Sequence, residues 1–332
     1  MPSGVNSGTK DVPLKLACEI TAMANEAWEN GSFLDWVTPV TRDLLRYWFA
    51  PAFVDTRTFN FHEGQRQAIL NTIFVHEILK TDTVFDMYAS VNADILSEMD
   101  VNILNQDKYR HPKYCMKMAT GTGKTWVMGA LLIWQFLNAT YEETKSGRYS
   151  KNFLLVAPGL IVYERLLDSY LGKEDEGGNR VFGTSDFKKY EQLFVPPTYK
   201  EVFFSFLQSS VVQKHEIGTK ITGDGMIAIT NWHLLMGAEE EQEDDDFSPL
   251  EDPSRMMEDL LPISPGTTAG HALESLDNRY FAGSELKFLA NLPDLVVFND
   301  EAHHIHEIKA RGEIIEVEWQ KSLNMIAAAK GT

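Results

Sequence analysis

Cysteine is nearly absent from this 332-residue sequence, which carries only Cys18 and Cys115. Two are too few, and these are too far apart, for a disulfide framework or a thiolate zinc site. Both read as reduced, partly buried thiols. Missing too is any run of about 18 apolar residues, the length that could span a membrane. The opening Met1-Pro-Ser-Gly-Val-Asn-Ser-Gly8 has no basic stretch ahead of an apolar core and so does not read as a secretory leader; a cytoplasmic protein is expected. Positive charge is scarce, with 30 Lys and Arg against 48 Asp and Glu and a formal net charge of −18. A polyanion is held through Lys and Arg, so this balance weighs against a nucleic-acid partner until its distribution is considered. Eleven acidic residues between Glu239 and Asp259 stand against Arg255 alone and supply about −10 of the total. Charges are screened over roughly 8 Å at physiological salt, so a basic groove can coexist with this stretch.

The remaining composition is that of a globular chain, 44% hydrophobic and 23% charged, long enough to bury a sizeable core. Residues 1 to 12 are polar. Apolar residues then recur at three- and four-residue spacing over Leu14–Trp28 and again over Thr41–Phe49 after Pro39. Residues 1–58 therefore read as an N-terminal helical region packed on the main domain. A further helix is expected over His62–Leu79, with Ala68, Ile69, Ile73, Phe74 and Ile78 on its buried face. The stretch 80–113 is mixed and reads as an insertion. From Tyr114 the pattern changes to short apolar runs, each followed by helix: Tyr114–Met118, Phe153–Ala157, Met226–Thr230 and Leu295–Phe298. Such alternation predicts βαβ units and a parallel sheet covered on both faces. The acidic and Pro/Gly/Ser-rich stretch of about 237–290 lacks periodicity and reads as a flexible insertion.

The sharpest signal is Ala119-Thr-Gly-Thr-Gly-Lys-Thr125, placed between an expected strand and the apolar helix Trp126–Phe136. A glycine-rich loop in that context binds phosphate. Gly121 and Gly123 let backbone N–H groups, with those of Thr120 and Thr122, turn toward an anion, and the helix adds its positive end. Lys124 would reach the β- and γ-phosphates of ATP, and the Thr125 hydroxyl would hold Mg²⁺. Met118 stands where the general pattern has its first glycine. The second signal is Leu295-Val-Val-Phe-Asn-Asp-Glu-Ala-His303, an apolar strand that delivers two carboxylates to its C-terminal end, where ligands of open α/β sheets bind. There Asp300 would anchor Mg²⁺, and Glu301 would orient and deprotonate a water.

These residues resemble the motifs of superfamily 2 helicases. Ala119–Thr125 is similar to motif I and Asp300-Glu-Ala-His303 to motif II of the DEAH type. Met118–Thr125, Val156-Ala-Pro-Gly-Leu-Ile161, Ile229-Thr-Asn-Trp-His233 and the doubled histidine of Asp300–His304 resemble segments of the Res subunits of type III restriction enzymes. The resemblance implies an α/β fold: a RecA-like P-loop NTPase parallel sheet with flanking helices, over residues 59–332. It implies that Gln65 reads adenine, with Gln67 as a rival for that role, and that Pro158, Gly159, Thr230 and Asn231 face the phosphates of a tracking DNA strand. His303 would couple nucleotide state to a second RecA-like domain. ATP and Mg²⁺ are the implied cofactors. Double-stranded DNA, a second RecA-like domain in cis or trans and a DNA methyltransferase subunit are the implied partners.

The Ser/Thr-Ala-Thr motif and the arginine fingers of the second motor domain are not found, so the sequence reads as the first half of a motor, with the nuclease and second domain outside it. Two function classes follow: an ATP-driven DNA translocase of restriction or phage defence, and a non-catalytic nucleotide- or DNA-binding module of a split complex. A metal site at His303, His304 and His306 is set aside because no Cys or distant His completes it. Pro293-Asp294 with Glu307-Ile-Lys309 fits a loose nuclease pattern, but that pattern straddles the DEAH-like residues.

Overall fold

The computed structural model of the chain describes residues 12–106, 109, 112–119, 121–142, 147–231, 285, 287–300, 308–310, 313–315 and 326. Strands β1 (Asn152–Ala157), β2 (Val211–Gln213), β3 (Met226–Asn231) and β4 (Val296–Asn299) form a parallel sheet in the order β2-β3-β1-β4. Side chains alternate across a strand, and the apolar runs here supply both faces. Phe153, Leu155, Ala157, Ile227 and Ile229 enter the main core. Leu154, Val156, Met226 and Ala228 enter a second, smaller cluster completed by Ile217, Leu289 and Ile326. With strands buried on both sides, β1 and β3 are buried along their whole length. The fold is the α/β, RecA-like arrangement expected. β5 (Ile308–Ala310) and β6 (Glu313–Ile315) make a separate antiparallel pair.

The N-terminal helices are Val12–Glu29, Ser32–Trp36 and Pro39–Phe49, the last opened by the Thr38 hydroxyl and by proline at its first position. Both devices favour a helix start. These helices share one core cluster with the sheet. Aromatic rings stitch them together: Trp28 meets Phe33 and Phe49, and Trp48 meets Phe61. The Trp48 indole donates to the Phe194 carbonyl at 2.9 Å.

Three expectations need correction. Tyr114–Met118 joins no strand among the described residues. Tyr114, Met116 and Met118 pack against the core while Cys115 and Lys117 are exposed, so this run has one apolar face and could not lie in the middle of a sheet covered on both. Both cysteines are exposed rather than partly buried, Cys18 because the Val12–Glu29 helix buries Leu16 and Ile20 on its other side. The helix expected over His62–Leu79 is α-helical at Glu63–Ile73 and then continues as a π-helix at Phe74–Leu79. Of its expected buried face, Ile69, Ile73 and Phe74 are buried, whereas Ala68 and Ile78 are half-buried. The stretch 80–113 contains short helices at Val84–Val91, Ala93–Ser97 and Val101–Leu104. Among the described residues no helix is long and apolar enough to cross a membrane. The acidic residues 239–259 lie outside the described residues.

The π-helix carries Glu77 into the core. Its carboxylate accepts hydrogen bonds from the Thr38 amide at 3.0 Å, from the Trp134 indole at 2.7 Å and from the Thr41 hydroxyl. Burial raises its pKa against the lowering effect of those donors. Next to it, the His76 ring donates through Nε2 to the Arg148 carbonyl at 2.8 Å, and burial pushes its pKa down to about 4.

Removing the Glu77 carboxylate leaves the Thr38 amide without its acceptor and weakens the Trp134 and Thr41 bonds. We expect Glu77→Ala to cost about 2–4 kcal/mol in urea unfolding at pH 7. His76 is neutral in the fold and binds a proton once unfolded. Its contribution is complete above the ordinary histidine pKa and is lost as pH falls from about 6.5 toward about 4. Glu77, raised, has the opposite sign: its contribution is complete below the ordinary carboxylate value and declines as pH rises through the raised one. Stability should fall on acidification from pH 7 to 5, at no more than about 1.4 kcal/mol per pH unit for one proton. The slope should be shallower in His76→Gln.

Candidate functional site

The glycine-rich loop is built from its own backbone. The Thr122 hydroxyl and amide both donate to the Ala119 carbonyl, at 2.6 and 3.3 Å. Gly121 and Gly123 take φ values of +77° and +75°, where a side chain is disfavoured. Gly123 hands over to an 18-residue helix, Lys124–Tyr141, whose first turn has no side-chain cap. A helix start without a side-chain cap, with its dipole, suits an anion. Lys124 and Thr125 open the helix half-buried, and every residue from Val127 to Asn138 is buried. A helix buried all round belongs in the centre of a domain, so the loop is anchored to the core.

Gln65 is brought to this loop. It is buried, and its Nε2 donates to the carbonyls of Thr122 and Gly123 at 3.2 and 3.3 Å. Its Oε1 accepts from the His62 amide at 3.0 Å. Gln67, the rival, donates instead to Asn71 on its own helix at 2.8 Å. His62 was not singled out by sequence reasoning. Its ring meets the Thr122 carbonyl through Nε2 at 2.8 Å. The only signal was its place three residues before Gln65, as the cap of the Glu63–Ile73 helix.

The second group of residues gathers at one edge of the sheet. Parallel pairing sets Val156 opposite Asn299 and Ala157 opposite Asn231, so the C-terminal ends of β1, β3 and β4 lie side by side. The Asp300 amide donates to the Val156 carbonyl at 3.1 Å, which fixes where the acidic residue leaves the strand. Pro158 and Gly159 are half-buried at the end of β1, followed by the exposed Leu160 and Ile161. Thr230 and Asn231 are buried, with the Thr230 hydroxyl donating to the Asn231 carbonyl at 3.3 Å. Thr120, Glu301 and His303 lie outside the described residues.

Asp294 sits at the opposite end of β4 and accepts from the Ser150 hydroxyl and from Asn152 Nδ2 at 3.1 Å. Those bonds tie the start of β4 to the start of β1 and give Asp294 a structural task, while Glu307 of the loose nuclease pattern lies outside the described residues. Among the described residues no group of His, Cys, Asp and Glu is placed to hold a metal ion. A pocket of about 270 Å³, bordered by Arg57, Phe59, Lys188, Tyr190 and Glu191, was also not foreseen. It lies near the loop, since the Tyr190 ring is 4.9 Å from that of Trp126 and 5.1 Å from that of Phe59.

The two left-handed glycines respond differently to an added methyl. At Gly121 the Cβ meets open space, whereas at Gly123 it runs into Gln65 Nε2. We expect Gly121→Ala to cost about 1–2 kcal/mol, the backbone term alone, and Gly123→Ala to cost more in the same urea titration. Equal costs would show that Gln65 does not press on the loop.

The family described as type III restriction enzyme, res subunit, matches residues 58–330. No curated protein and no solved structure matches the chain. Because the family match runs from ahead of Gln65 through the glycine-rich loop to beyond the last strand of the sheet, the chain belongs to the type III restriction enzyme Res-subunit family and carries its helicase-like, RecA-type ATP-binding motor domain.

Proposed function

We propose that this chain binds ATP with Mg²⁺ and works as the motor domain of a DNA-dependent ATPase that translocates on double-stranded DNA in restriction or phage defence. The observation that carries the reading is the loop itself: two left-handed glycines lead into the start of a buried helix that has no side-chain cap. Thr120, Gly121 and Gly123 cradle phosphate oxygens with backbone N–H groups, Thr122 joins them by giving up its amide bond to the Ala119 carbonyl, and Lys124 supplies the positive charge for the β- and γ-phosphates. The Thr125 hydroxyl and the Asp300 carboxylate are hard oxygen donors of the kind Mg²⁺ takes, and the metal would neutralise charge on the phosphates. Glu301 accepts the proton of the attacking water. A second RecA-like domain, in cis or trans, closes the site from the other side with its arginines, and His303 relays the state of the site to it.

The DNA path belongs at the C-terminal edge of the sheet. Gly159 is the better candidate for a phosphate contact, through a backbone N–H that carries no sequence preference, with Pro158, which has no N–H to give, shaping the turn before it. The burial of Thr230 and Asn231 gives them the task of shaping the strand end beneath the DNA. A modification methyltransferase subunit would supply sequence recognition that such contacts lack.

Calorimetry with MgADP tests the nucleotide site. Lys124→Ala should weaken binding roughly ten- to a hundredfold, the loss of a charge-assisted hydrogen bond of about 1.5–3 kcal/mol. Equal affinities would end the phosphate-loop assignment. Steady-state hydrolysis tests the motor. Turnover raised by double-stranded DNA and abolished in Glu301→Gln supports translocation. Nucleotide binding without turnover, even when a second RecA-like domain is supplied, would favour a binding module instead.

A further inference from the structure

We propose that His62 is a positioning residue of the phosphate loop, holding the Thr122–Gly123 turn in its phosphate-ready shape before any nucleotide arrives. The inference rests on the reading of residues 119–125 as a phosphate loop, and it concerns the nucleotide-free state.

The two ring nitrogens of His62 have different tasks. Nδ1 faces the amides of Gly64 and Gln65 at 3.1 and 3.3 Å. Both amides are obligate donors, so Nδ1 must present its lone pair to them. The ring hydrogen then belongs on Nε2, which donates it to the Thr122 carbonyl at 2.8 Å. His62 thus joins two backbones with one rigid ring: the start of the Glu63–Ile73 helix and the crest of the glycine-rich loop. The tautomer is dictated by the helix end and read out at the loop. Ser, Thr, Asp and Asn are the usual residues at a helix start, and each could satisfy the same amides. None is long enough to cap the helix and also reach Thr122, and that reach is what a histidine adds at this position.

The ring works in parallel with Gln65. Gln65 holds its own orientation by accepting from the His62 amide, and it donates to the Thr122 and Gly123 carbonyls. The Thr122 carbonyl therefore takes two side-chain donors, one from His62 and one from Gln65. Drawing a carbonyl outward turns the following peptide, and with it the Gly123 N–H, toward the opposite side. Left-handed φ at Gly123 is accessible but not dictated by its sequence, since glycine populates both signs of φ. Two donors on the preceding carbonyl select one of them. An uncapped helix start alone would leave the loop to be ordered by the nucleotide, at a cost in affinity.

Capping and latching can be separated by substitution. His62→Ser keeps an N-cap hydroxyl for the Gly64 and Gln65 amides but cannot reach Thr122, and His62→Asn makes a second capping variant with a short donor. The test is hydrogen exchange on the nucleotide-free, full-length chain, followed over peptides covering 119–127 and, as a control, 63–73. In His62→Ser, exchange across 121–125 should quicken roughly fivefold, the equivalent of about 1 kcal/mol for one hydrogen bond, while 63–73 stays unchanged. His62→Asn, which caps the helix but is equally unable to reach Thr122, should match His62→Ser. MgADP affinity should drop several-fold in His62→Ser at an unchanged melting temperature. Unchanged exchange across 121–125, or a uniform rise across the whole chain, would overturn the proposal. If the wild type fails to bind MgADP, the nucleotide reading falls, but the exchange comparison still decides whether His62 latches the loop.

Discussion

The arrangement depends on one buried carboxylate. Glu77 lies within a π-helical stretch and gathers donors from the start of the Pro39–Phe49 helix and from Trp134 in the middle of the Lys124–Tyr141 helix. Asn138, one turn beyond Trp134, extends the network to the Thr41 and Thr38 hydroxyls at 3.0 and 2.5 Å. A buried carboxylate without such partners would be too costly to keep. Its donors must therefore be delivered to it, and that requirement orients three helices at once. The helix so oriented is the one that opens at the glycine-rich loop. A π-turn, rare because its hydrogen bonding is poor, is tolerated where it places a particular residue, and here that residue is Glu77.

Much of the site was legible in the sequence because its chemistry needs few residue types. Glycine alone accepts the φ values at 121 and 123 without strain, and a lysine-threonine pair directly after such a loop, at a helix start, is the arrangement that phosphate and its metal require. Strands β1, β3 and β4 were legible because a strand covered on both faces must be apolar without interruption. Tyr114–Met118 misled because its apolar residues alternate with Cys115 and Lys117, and the run packs by one face only. β2 is three residues long and lies between a helix and a turn, too short for any period to show. The π-helix escaped notice for a related reason: its apolar residues continue the helical pattern, and a change of one residue per turn barely alters spacing over six positions.

The roles of His62 and Gln65 were the least legible, since a helix cap and a buried glutamine are both ordinary features. What distinguishes them is a partner about 60 residues away, and spacing within a sequence does not reveal a partner at that distance. The resemblance pointed to Gln65 as an adenine reader; in this structure its amide hydrogens go to the loop. Reading adenine would require one of those bonds to be traded, which would link recognition of the base to the shape of the loop.

The aromatic cluster of Trp28, Phe33, Trp48, Phe49, Phe61 and Phe194 crosses the point where the family match begins, at residue 58. A recombination joint placed there would cut through interlocked rings and leave large apolar surfaces on both pieces. Shuffling of this motor between genes is therefore constrained: a unit cut at the family's own border leaves behind the helices that complete its main core, and a graft made there carries that core incomplete.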